Sequence, residues 1–340
     1  MMHKRLTINE LARYTGFSIT TVSLVLNGNA NSIPDSVKEK IIQAAKELNY
    51  VPNLAARSLA RGNSHTIGVI IPDISNSFFA ELVHDLQIEL NQYGYDIFLC
   101  NSDEKMENDI KYINLLSSRA VDGMLLVLSA ESMQPQNHAL IKETLENIFV
   151  PYLFIDRYFE NDAHQVIIDN YQGGLDVAKV LYDNGHHNIG LITGPQSLNS
   201  SQNRLGGVVD FYASKGIQIP SQNIYIGKYD YDTGYLGAQE LLKNKITAIF
   251  AFNDLQAYGV LEYCKDHDIK VPQDLSLMGF DNLETSKVVS PKLSTVQQPI
   301  DKLSLTAASS IIGMIEGKDV KRVVKFGAKL IIRDSVRSLV

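Results

Sequence analysis

Polar and aromatic residues recur directly after short apolar runs along most of the 340-residue chain. Carboxylates and amides form hydrogen bonds with the vicinal hydroxyls of a sugar, and a guanidinium group can donate to two hydroxyl oxygens at once. Aromatic rings pack against the C–H faces of the sugar ring. The pattern therefore predicts a site for a small polyhydroxylated molecule, a sugar. Its members are Asp73, Asn76, Phe78, Phe79, Asp156, Arg157, Arg204, Tyr229, Asn253, Asp254, Asp281, Asn282, Gln297 and Gln298.

Each of these residues also has an ordinary structural explanation. Asn76 can cap a helix, and Phe78 and Phe79 can belong to a core. Their recurrence at strand ends in both halves of the chain favours the ligand site, because the carboxyl ends of parallel strands meet at one edge of a sheet.

Catalytic signatures are missing from the sequence. It contains no Gly-x-Ser-x-Gly, Walker or Gly-x-Gly-x-x-Gly motif. His186-His187 is interpreted as part of a surface turn rather than a metal site. We therefore expect that the protein is not an enzyme and that it binds neither a cofactor nor a metal ion.

The elements that position the polar residues alternate between strand and helix. A first run spans strands near Thr66, Asp96, Gly123 and Tyr152. A second begins near Val166 and continues through strands near residues 189–193, 224–227, 248–252 and 276–279, with Arg204 opening a helix. Alternation of this kind predicts two doubly wound parallel-sheet subdomains.

The first 62 residues differ from the rest in charge. They hold eight Lys or Arg and four Asp or Glu, so they are net +4 in a chain of net charge −7. The larger part is acidic, at −11, and therefore the small head is the part expected to meet a polyanion.

Short helices make up this head. Thr7 with Glu10 predicts a capping box, Ser18 caps a second helix that ends at Asn27-Gly28, and Pro34 takes the first position of a third. Two short helices around a Gly-containing turn predict a helix-turn-helix. The alternative is a three-helix interaction module without DNA contact.

The second helix would read DNA. Ile19, Thr20 and Leu24 face the major groove, where Thr20 can bond a base edge and the other two can contact a thymine methyl. Thr21, Ser23 and Asn27 reach phosphates.

A linker follows at residues 52–61, with a helix too short to be stable alone. Leu59 is interpreted as a wedge that enters the minor groove, with Arg57 near the phosphates. The alternative is that Leu59 packs on the adjacent domain.

Length and composition further limit the class of protein to which the chain can belong. The chain length suits two or three domains, and 45% hydrophobic content excludes disorder. The apolar runs are too short for a membrane span, and no signal peptide is recognised. The two cysteines suit a reducing compartment. We expect a cytoplasmic protein without a membrane partner.

The chain resembles the lactose/galactose-repressor (LacI/GalR) family of bacterial transcription regulators over nearly its whole length. The matching segments are Thr7-Ile8-Asn9-Glu10-Leu11-Ala12, Thr21-Val22-Ser23, Leu26-Asn27-Gly28, Leu48-Asn49-Tyr50-Val51-Pro52-Asn53, Ala56-Arg57-Ser58-Leu59, Ile67-Gly68-Val69-Ile70-Ile71-Pro72-Asp73-Ile74-Ser75-Asn76, Val121-Asp122-Gly123, Gly185-His186, Gly279-Phe280-Asp281-Asn282 and Gln298-Pro299.

The resemblance implies an all-α head and a periplasmic-binding-protein-like α/β core. The implied domains are 1–50 for the head, 51–63 for the hinge and 64–340 for the effector-binding and dimerisation core. Within the core, the N-subdomain is expected at about 64–160 plus 282–298, and the C-subdomain at about 161–281 plus 299–340.

Function also follows from the resemblance as an expectation: a homodimeric repressor of carbohydrate-utilisation genes that binds a pseudo-palindromic operator under control of a small sugar. DNA contacts are expected from Thr7, Ser18, Ile19, Thr20, Thr21, Ser23, Leu24, Asn27, Asn53, Ala56, Arg57 and Leu59. Effector contacts are expected from Asn76, Phe78, Phe79, Asp156, Arg157, Arg204, Tyr229, Asn253, Asp281 and Gln298.

Two positions depart from the family. Leu24 stands where many members have Arg or His, and Leu198 stands where purine-binding members have Arg. The first puts an arginine–guanine contact in doubt, and the second weakens a purine corepressor.

Three alternatives remain open. A corepressor-dependent regulator would respond to a nucleobase or a phosphoprotein. A sugar-transport component conflicts with the basic head, and an enzyme lacks a catalytic set.

Overall fold

The computed structural model describes residues 6–28, 30–50, 63–158 and 163–340. The chain divides into two compact units, Met1–Ser64 and His65–Val340. The predicted hinge positions Asn53, Ala56, Arg57 and Leu59 lie outside the described residues. No helix of the described ranges is long and apolar enough to cross a membrane.

The first unit contains three helices: α1 (Ile8–Thr15), α2 (Ile19–Leu26) and α3 (Asp35–Glu47). The predicted capping box is confirmed, because Thr7 and Glu10 bond each other's backbone N–H. Ser18 caps α2 as expected. Pro34 differs from the prediction: its ψ of 143° is extended, so it precedes α3 rather than opening it.

Six parallel strands form the first sheet of the second unit, in the order β11-β5-β4-β3-β1-β2. Its strands are β1 (Thr66–Ile71), β2 (Asp96–Asn101), β3 (Gly123–Leu126), β4 (Tyr152–Ile155), β5 (Gln165–Ile168) and β11 (Val323–Phe326). The helices that accompany it are α4 (Ser77–Gln92), α5 (Met106–Ser118), α6 (His138–Glu146) and α11 (Ile300–Ile315).

A second parallel sheet has the order β7-β6-β8-β9. Its strands are β6 (Ile189–Thr193), β7 (Ile224–Ile226), β8 (Ala248–Ala251) and β9 (Ser276–Met278), with helices α7 (Asn170–Asp183), α8 (Asn199–Ser214), α9 (Tyr231–Leu241) and α10 (Asp254–Asp266). Strands β10 (Thr295–Gln297) and β12 (Lys329–Ile331) form a separate antiparallel pair. We call the two sheets with their helices the first and second halves.

Three elements lie in a different half of the core from the one that the sequence predicted: strands β5 and β11 and helix α11. The strand at Val166 pairs with β4 and so belongs to the first sheet, not to the start of the second run. Helix α11 packs on α4, β3, β4 and β5, and β11 pairs with β5, although residues 299–340 were assigned to the C-subdomain. Strand–helix alternation gives the order of elements but not the sheet edge that each strand joins.

Candidate functional site

One pocket between the two halves is lined by all ten of the expected effector residues, together with Ser200. Helix α4 and the end of β4 supply its wall in the first half, and α8 and the ends of β7, β8 and β9 supply its wall in the second. Ser200 was not predicted, since a serine in the first turn of a helix carries no distinguishing signal. The role of these residues as ligand contacts stays a prediction.

Arg157 is held in place by Glu104, a residue that was not among the predicted site residues. Its two terminal nitrogens donate to the two carboxylate oxygens of Glu104, at 2.9 Å each, and Nη1 also donates to the carbonyl of Leu128. Burial opposes ionisation of Glu104, but the adjacent guanidinium lowers the pKa of that carboxyl overall. Glu104 follows β2, so the strand-end pattern would have found it.

Arg204 lies in the second turn of α8, which begins at Asn199; the prediction that Arg204 opens this helix is wrong. Its Nε donates to Asn170 Oδ1 at 2.8 Å, and Nη1 donates to the carbonyl of Phe252. The guanidinium carbon lies 3.5 Å from the ring centroid of Phe280. A guanidinium carries five N–H donors, so both arginines keep donors for a ligand.

Two carboxylates face the arginines from strand ends. Burial raises the pKa of Asp156 against the attraction of Arg157 and Arg204, and burial raises the pKa of Asp281 well above its ordinary value. Gln298 Nε2 donates to Asp281. Asp156 Oδ1 and Gln298 Oε1 are buried and have no hydrogen-bond partner among the described residues. Buried acceptors of this kind call for a donor, which a ligand hydroxyl supplies.

Several pocket residues are also structural. Asn76 caps α4 by accepting from the Phe78 amide at 3.1 Å, and the rings of Phe78 and Phe79 belong to the core of the first half. Asn253 caps α10 through the Gln256 amide at 2.9 Å and donates to the carbonyl of Tyr229. The structural explanations of Asn76, Phe78 and Phe79 are therefore confirmed, and the same residues line the pocket.

Residues 197–199, which we call the latch, join the second half to the first. Ser197 Oγ donates to the Ala130 carbonyl at 2.8 Å. The Asn199 side chain bonds both the amide and the carbonyl of Tyr158. Leu198 is fully buried in an apolar cluster of the first half. The cleft is therefore closed, and the inner pocket has a volume of 20 Å³, enough for about one water.

A wider cavity of 510 Å³ opens outside the inner pocket. We call it the vestibule. It lies between residues 103–105 and 130–131 of the first half and residues 228–230 of the second, and it shares Asn76, Phe79 and Tyr229 with the inner pocket.

The head presents an exposed face on α2. Ile19, Thr20 and Leu24 are exposed, whereas Val22 and Val25 are buried. The other predicted contacts within the described part of the head are already hydrogen-bonded there: Thr21 bonds Ser18, Asn27 donates to Ser23, and Thr7 bonds Glu10. The exposed face is apolar apart from Thr20.

His186 is buried, so its interpretation as a surface residue is wrong; His187 is exposed. Nε2 of His186 donates to the Arg337 carbonyl at 3.0 Å, and Nδ1 lies 3.0 Å from the Thr247 hydroxyl. Burial lowers the pKa of this imidazole. The ring thus ties the C-terminal segment to the second half. No group of three potential metal ligands occurs in the ranges that the structure describes.

Two family profiles match the chain. One, described as periplasmic binding proteins and sugar binding domain of LacI family, matches residues 64–334. The other, described as bacterial regulatory proteins, lacI family, matches residues 7–53.

Individual relatives cover nearly the same length. The HTH-type transcriptional repressor PurR of Vibrio parahaemolyticus is 32% identical over 98% of this chain and 99% of its own. The Lac repressor bound to ONPG in its repressed state has a TM-score of 0.86 at 25% identity, over 98% of this chain and 100% of its own. A LacI family regulator from Enterococcus faecium with bound ribose has a TM-score of 0.71 at 27% identity, over 81% of this chain and 100% of its own.

Proposed function

Because the chain belongs to the LacI family of bacterial regulatory proteins, and is a DNA-binding transcriptional regulator rather than an enzyme, we propose that it represses carbohydrate-utilisation genes under control of a small sugar. The pocket carries this proposal: two guanidinium groups, two carboxylates and aromatic rings converge on it from both halves. The ribose held by the Enterococcus faecium regulator supports the same class of effector.

Each group has a part in holding a sugar ring. Arg157 and Arg204 donate to ring hydroxyls, and Asp156 and Gln298 accept from them through oxygens that lack a partner in the described part of the chain. Phe79 and Tyr229 cover the apolar faces of the ring. Asn253 and Asp281 complete the wall of the second half.

Regulation follows from the position of the pocket between two halves. An effector that prefers one closure angle shifts the equilibrium between angles, by a coupling of about 1–3 kcal/mol per site. In the proposed mechanism the closure angle sets the separation of the two linkers of a dimer. The linkers form hinge helices, with Leu59 in the minor groove, at one separation and not at the other.

The exposed apolar edge of the first half is proposed to bind a second copy of the chain. Strand β2 is an edge strand, and its Phe98 and Leu99 are 48% and 42% exposed. Ile88 and Tyr93, on α4 and at its end, are exposed as well. An uncovered apolar edge invites pairing. A two-fold dimer through this surface presents two heads to a pseudo-palindromic operator in the cytoplasm.

DNA reading is assigned to α2. The exposed Ile19, Thr20 and Leu24 contact base edges, and Thr7, Ser18, Thr21, Ser23 and Asn27 contact phosphates. Asn53, Ala56, Arg57 and Leu59 of the linker complete the set. With Leu24, the helix offers a thymine methyl an apolar contact instead of offering guanine a donor.

A second candidate is a corepressor-dependent regulator whose effector is a nucleobase. The match to repressors named PurR favours it. The buried Leu198 opposes it, because the family resemblance gives purine-binding members an Arg at that position. An inducing sugar weakens operator binding, whereas a corepressor strengthens it.

Fluorescence anisotropy tests both candidates. The full-length chain is first used to select its operator from a palindromic library, and the operator is then titrated with pentoses, hexoses, disaccharides and nucleobases. Weaker operator binding with a sugar supports the first candidate. A response to a nucleobase alone would replace it by the second.

A further inference from the structure

The vestibule offers the larger part of the space available to an effector. Its 510 Å³ falls within the range of about 300–1,000 Å³ that small-molecule sites occupy, whereas the inner pocket has 20 Å³. A ring can enter the inner pocket once the latch lets the halves separate. The two cavities share the walls at Asn76, Phe79 and Tyr229, so they are adjacent and a ligand of two rings can reach from one to the other once the halves separate.

Negative charge predominates in the vestibule. Five carboxylates line it, against the two ammonium groups of Lys105 and Lys228. The carboxylates are those of Asp73, Asp103, Glu104, Glu131 and Asp230. Arg157, behind Glu104, neutralises one of them. The cavity therefore keeps a negative balance.

Backbone amides fix these carboxylates in position. Asp73 accepts from the Ser75 amide at 2.9 Å, Glu131 from the Met106 amide at 2.8 Å, and Asp230 from the Thr233 amide at 2.9 Å. Lys105 already lies 3.5 Å from Glu131. The negative groups cannot turn away from an incoming anion without losing these bonds.

The inner pocket supplies an independent indication of the ligand. Asp156 and Gln298 are 6% and 4% exposed, and each has a buried oxygen without a partner in the part of the chain described. An oxygen of this kind is satisfied by a hydroxyl or amino donor and not by another acceptor. The deep end of the ligand therefore carries hydrogen-bond donors, which a sugar supplies through its hydroxyls.

We propose, resting on the sugar regulation proposed above, that the effector is an uncharged glycoside of two or more rings. One ring lies in the inner pocket and the remainder in the vestibule. Sugar phosphates are excluded, because a phosphate ester brings a charge of about −1.5 to −2 at neutral pH into an already negative cavity. Monosaccharides fill the inner pocket alone and bind more weakly.

Calorimetry on the full-length chain tests the proposal with three matched probes: a hexose, the 6-phosphate of that hexose and a neutral disaccharide of it. The probes are taken from the gluco and the galacto series, and each is measured at low and at high salt. We expect the disaccharide of one series to bind roughly tenfold tighter than its hexose. The 6-phosphate is expected to bind at least tenfold more weakly, with part of the difference lost at high salt. A phosphate ester that binds more tightly than its neutral parent would overturn the proposal.

Two conservative changes test the charge argument directly. Asp103 has a φ of 53°, which asparagine tolerates well, so Asp103→Asn with Glu131→Gln removes two charges and keeps the shape. The preference for hexose over its 6-phosphate should fall roughly fivefold to twentyfold at low salt. Glu107→Gln, on the exposed surface of α5, is the matched control. An unchanged preference in the double variant would contradict the charge argument.

The two proposals can fail separately. A sugar phosphate that binds and alters operator affinity would overturn the exclusion of anions and leave regulation by sugar intact. Binding of a nucleobase, with no sugar bound, would overturn the regulation itself. A chain that binds none of the probes contradicts both.

Discussion

The two terminal nitrogens of Arg157 meet the two carboxylate oxygens of Glu104 in parallel, each at 2.9 Å. Glu104 reaches this position from a backbone φ of 56°, in the left-handed region that non-glycine residues seldom adopt. The loop after β2 therefore determines how Arg157 faces the pocket.

Glu104→Gln should weaken sugar binding by roughly tenfold. The amide nitrogen would face either Arg157 or the Ala130 amide, which are both donors, so the parallel pair cannot form. Isothermal calorimetry measures the loss, and Glu107→Gln serves as the control. Wild-type affinity in Glu104→Gln would mean that Arg157 needs no such partner.

Arg204→Lys should weaken sugar binding by at least tenfold while operator affinity without sugar is retained. A lysine cannot reach Asn170, the Phe252 carbonyl and a ligand together, since it lacks the planar fork. Anisotropy with and without sugar measures both quantities. Arg119→Lys, on the exposed surface, is the control, and an equal response in the two variants would remove Arg204 from the site.

Leu59→Ala should reduce specific operator affinity by tenfold or more and leave sugar binding unchanged. The expectation comes from the minor-groove role that the family resemblance implies, where an apolar wedge unstacks a base step. Gel shifts with the selected operator and with a scrambled duplex separate specific from non-specific binding. Equal affinity of variant and wild type for the operator would refute the wedge.

Asn199→Ala should open the cleft in the absence of sugar. The change removes two hydrogen bonds to Tyr158 across the cleft, each worth about 1 kcal/mol. Small-angle X-ray scattering should show a larger radius of gyration, which sugar then reduces. Asn147→Ala, whose side chain bonds its own helix at Glu143, is the control. A radius equal to that of the wild type would count against the latch.

Asp254→Asn should change how stability depends on pH. Burial raises the pKa of Asp254 to about 6, although Ser286, Thr295 and the Leu283 amide donate to its carboxylate. The folded chain thus holds a proton that the unfolded chain loses above pH 3.8. The stability from this proton is complete below that pH and is lost as pH rises through 6.

The wild type should therefore gain about 2 kcal/mol relative to Asp254→Asn between pH 7.5 and pH 4.5. Urea unfolding of both proteins at the two pH values measures the difference, in which the titration of other groups cancels. A constant difference between the two proteins would show that Asp254 is ionised at both values.

Local features of the fold follow from the sequence. Thr7 with Glu10 and Ser18 with Thr21 cap their helices because both partners lie within one turn. The strand-end pattern predicted a larger set that contains the ten pocket residues, because strand ends in a parallel sheet converge on one edge, and the family resemblance narrowed that set to the ten. The sequence does not show which of these residues contact a ligand, because a residue such as Asn76 or Asn253 also serves as a helix cap in the same position.

Long-range features do not follow from it. The latch was not expected, because Leu198 finds its apolar partners in the other half of the core. Strand β11 is separated from its partner β5 by more than 150 residues, and no periodic pattern shows which sheet edge will receive it. Glu104 follows a strand as the pattern requires, but nothing in the sequence shows that it pairs with Arg157, 53 positions further along the chain.

The chain crosses from the first half to the second after β5, returns with α11 and β11, and crosses again to end beside the second half, where the Leu339 amide donates to the Asn184 carbonyl. The first half is therefore assembled from two separated stretches of polypeptide. A gene fragment that ends after β5 would encode the first sheet without β11, so the pocket and its movable walls have to be inherited, exchanged or engineered as a whole.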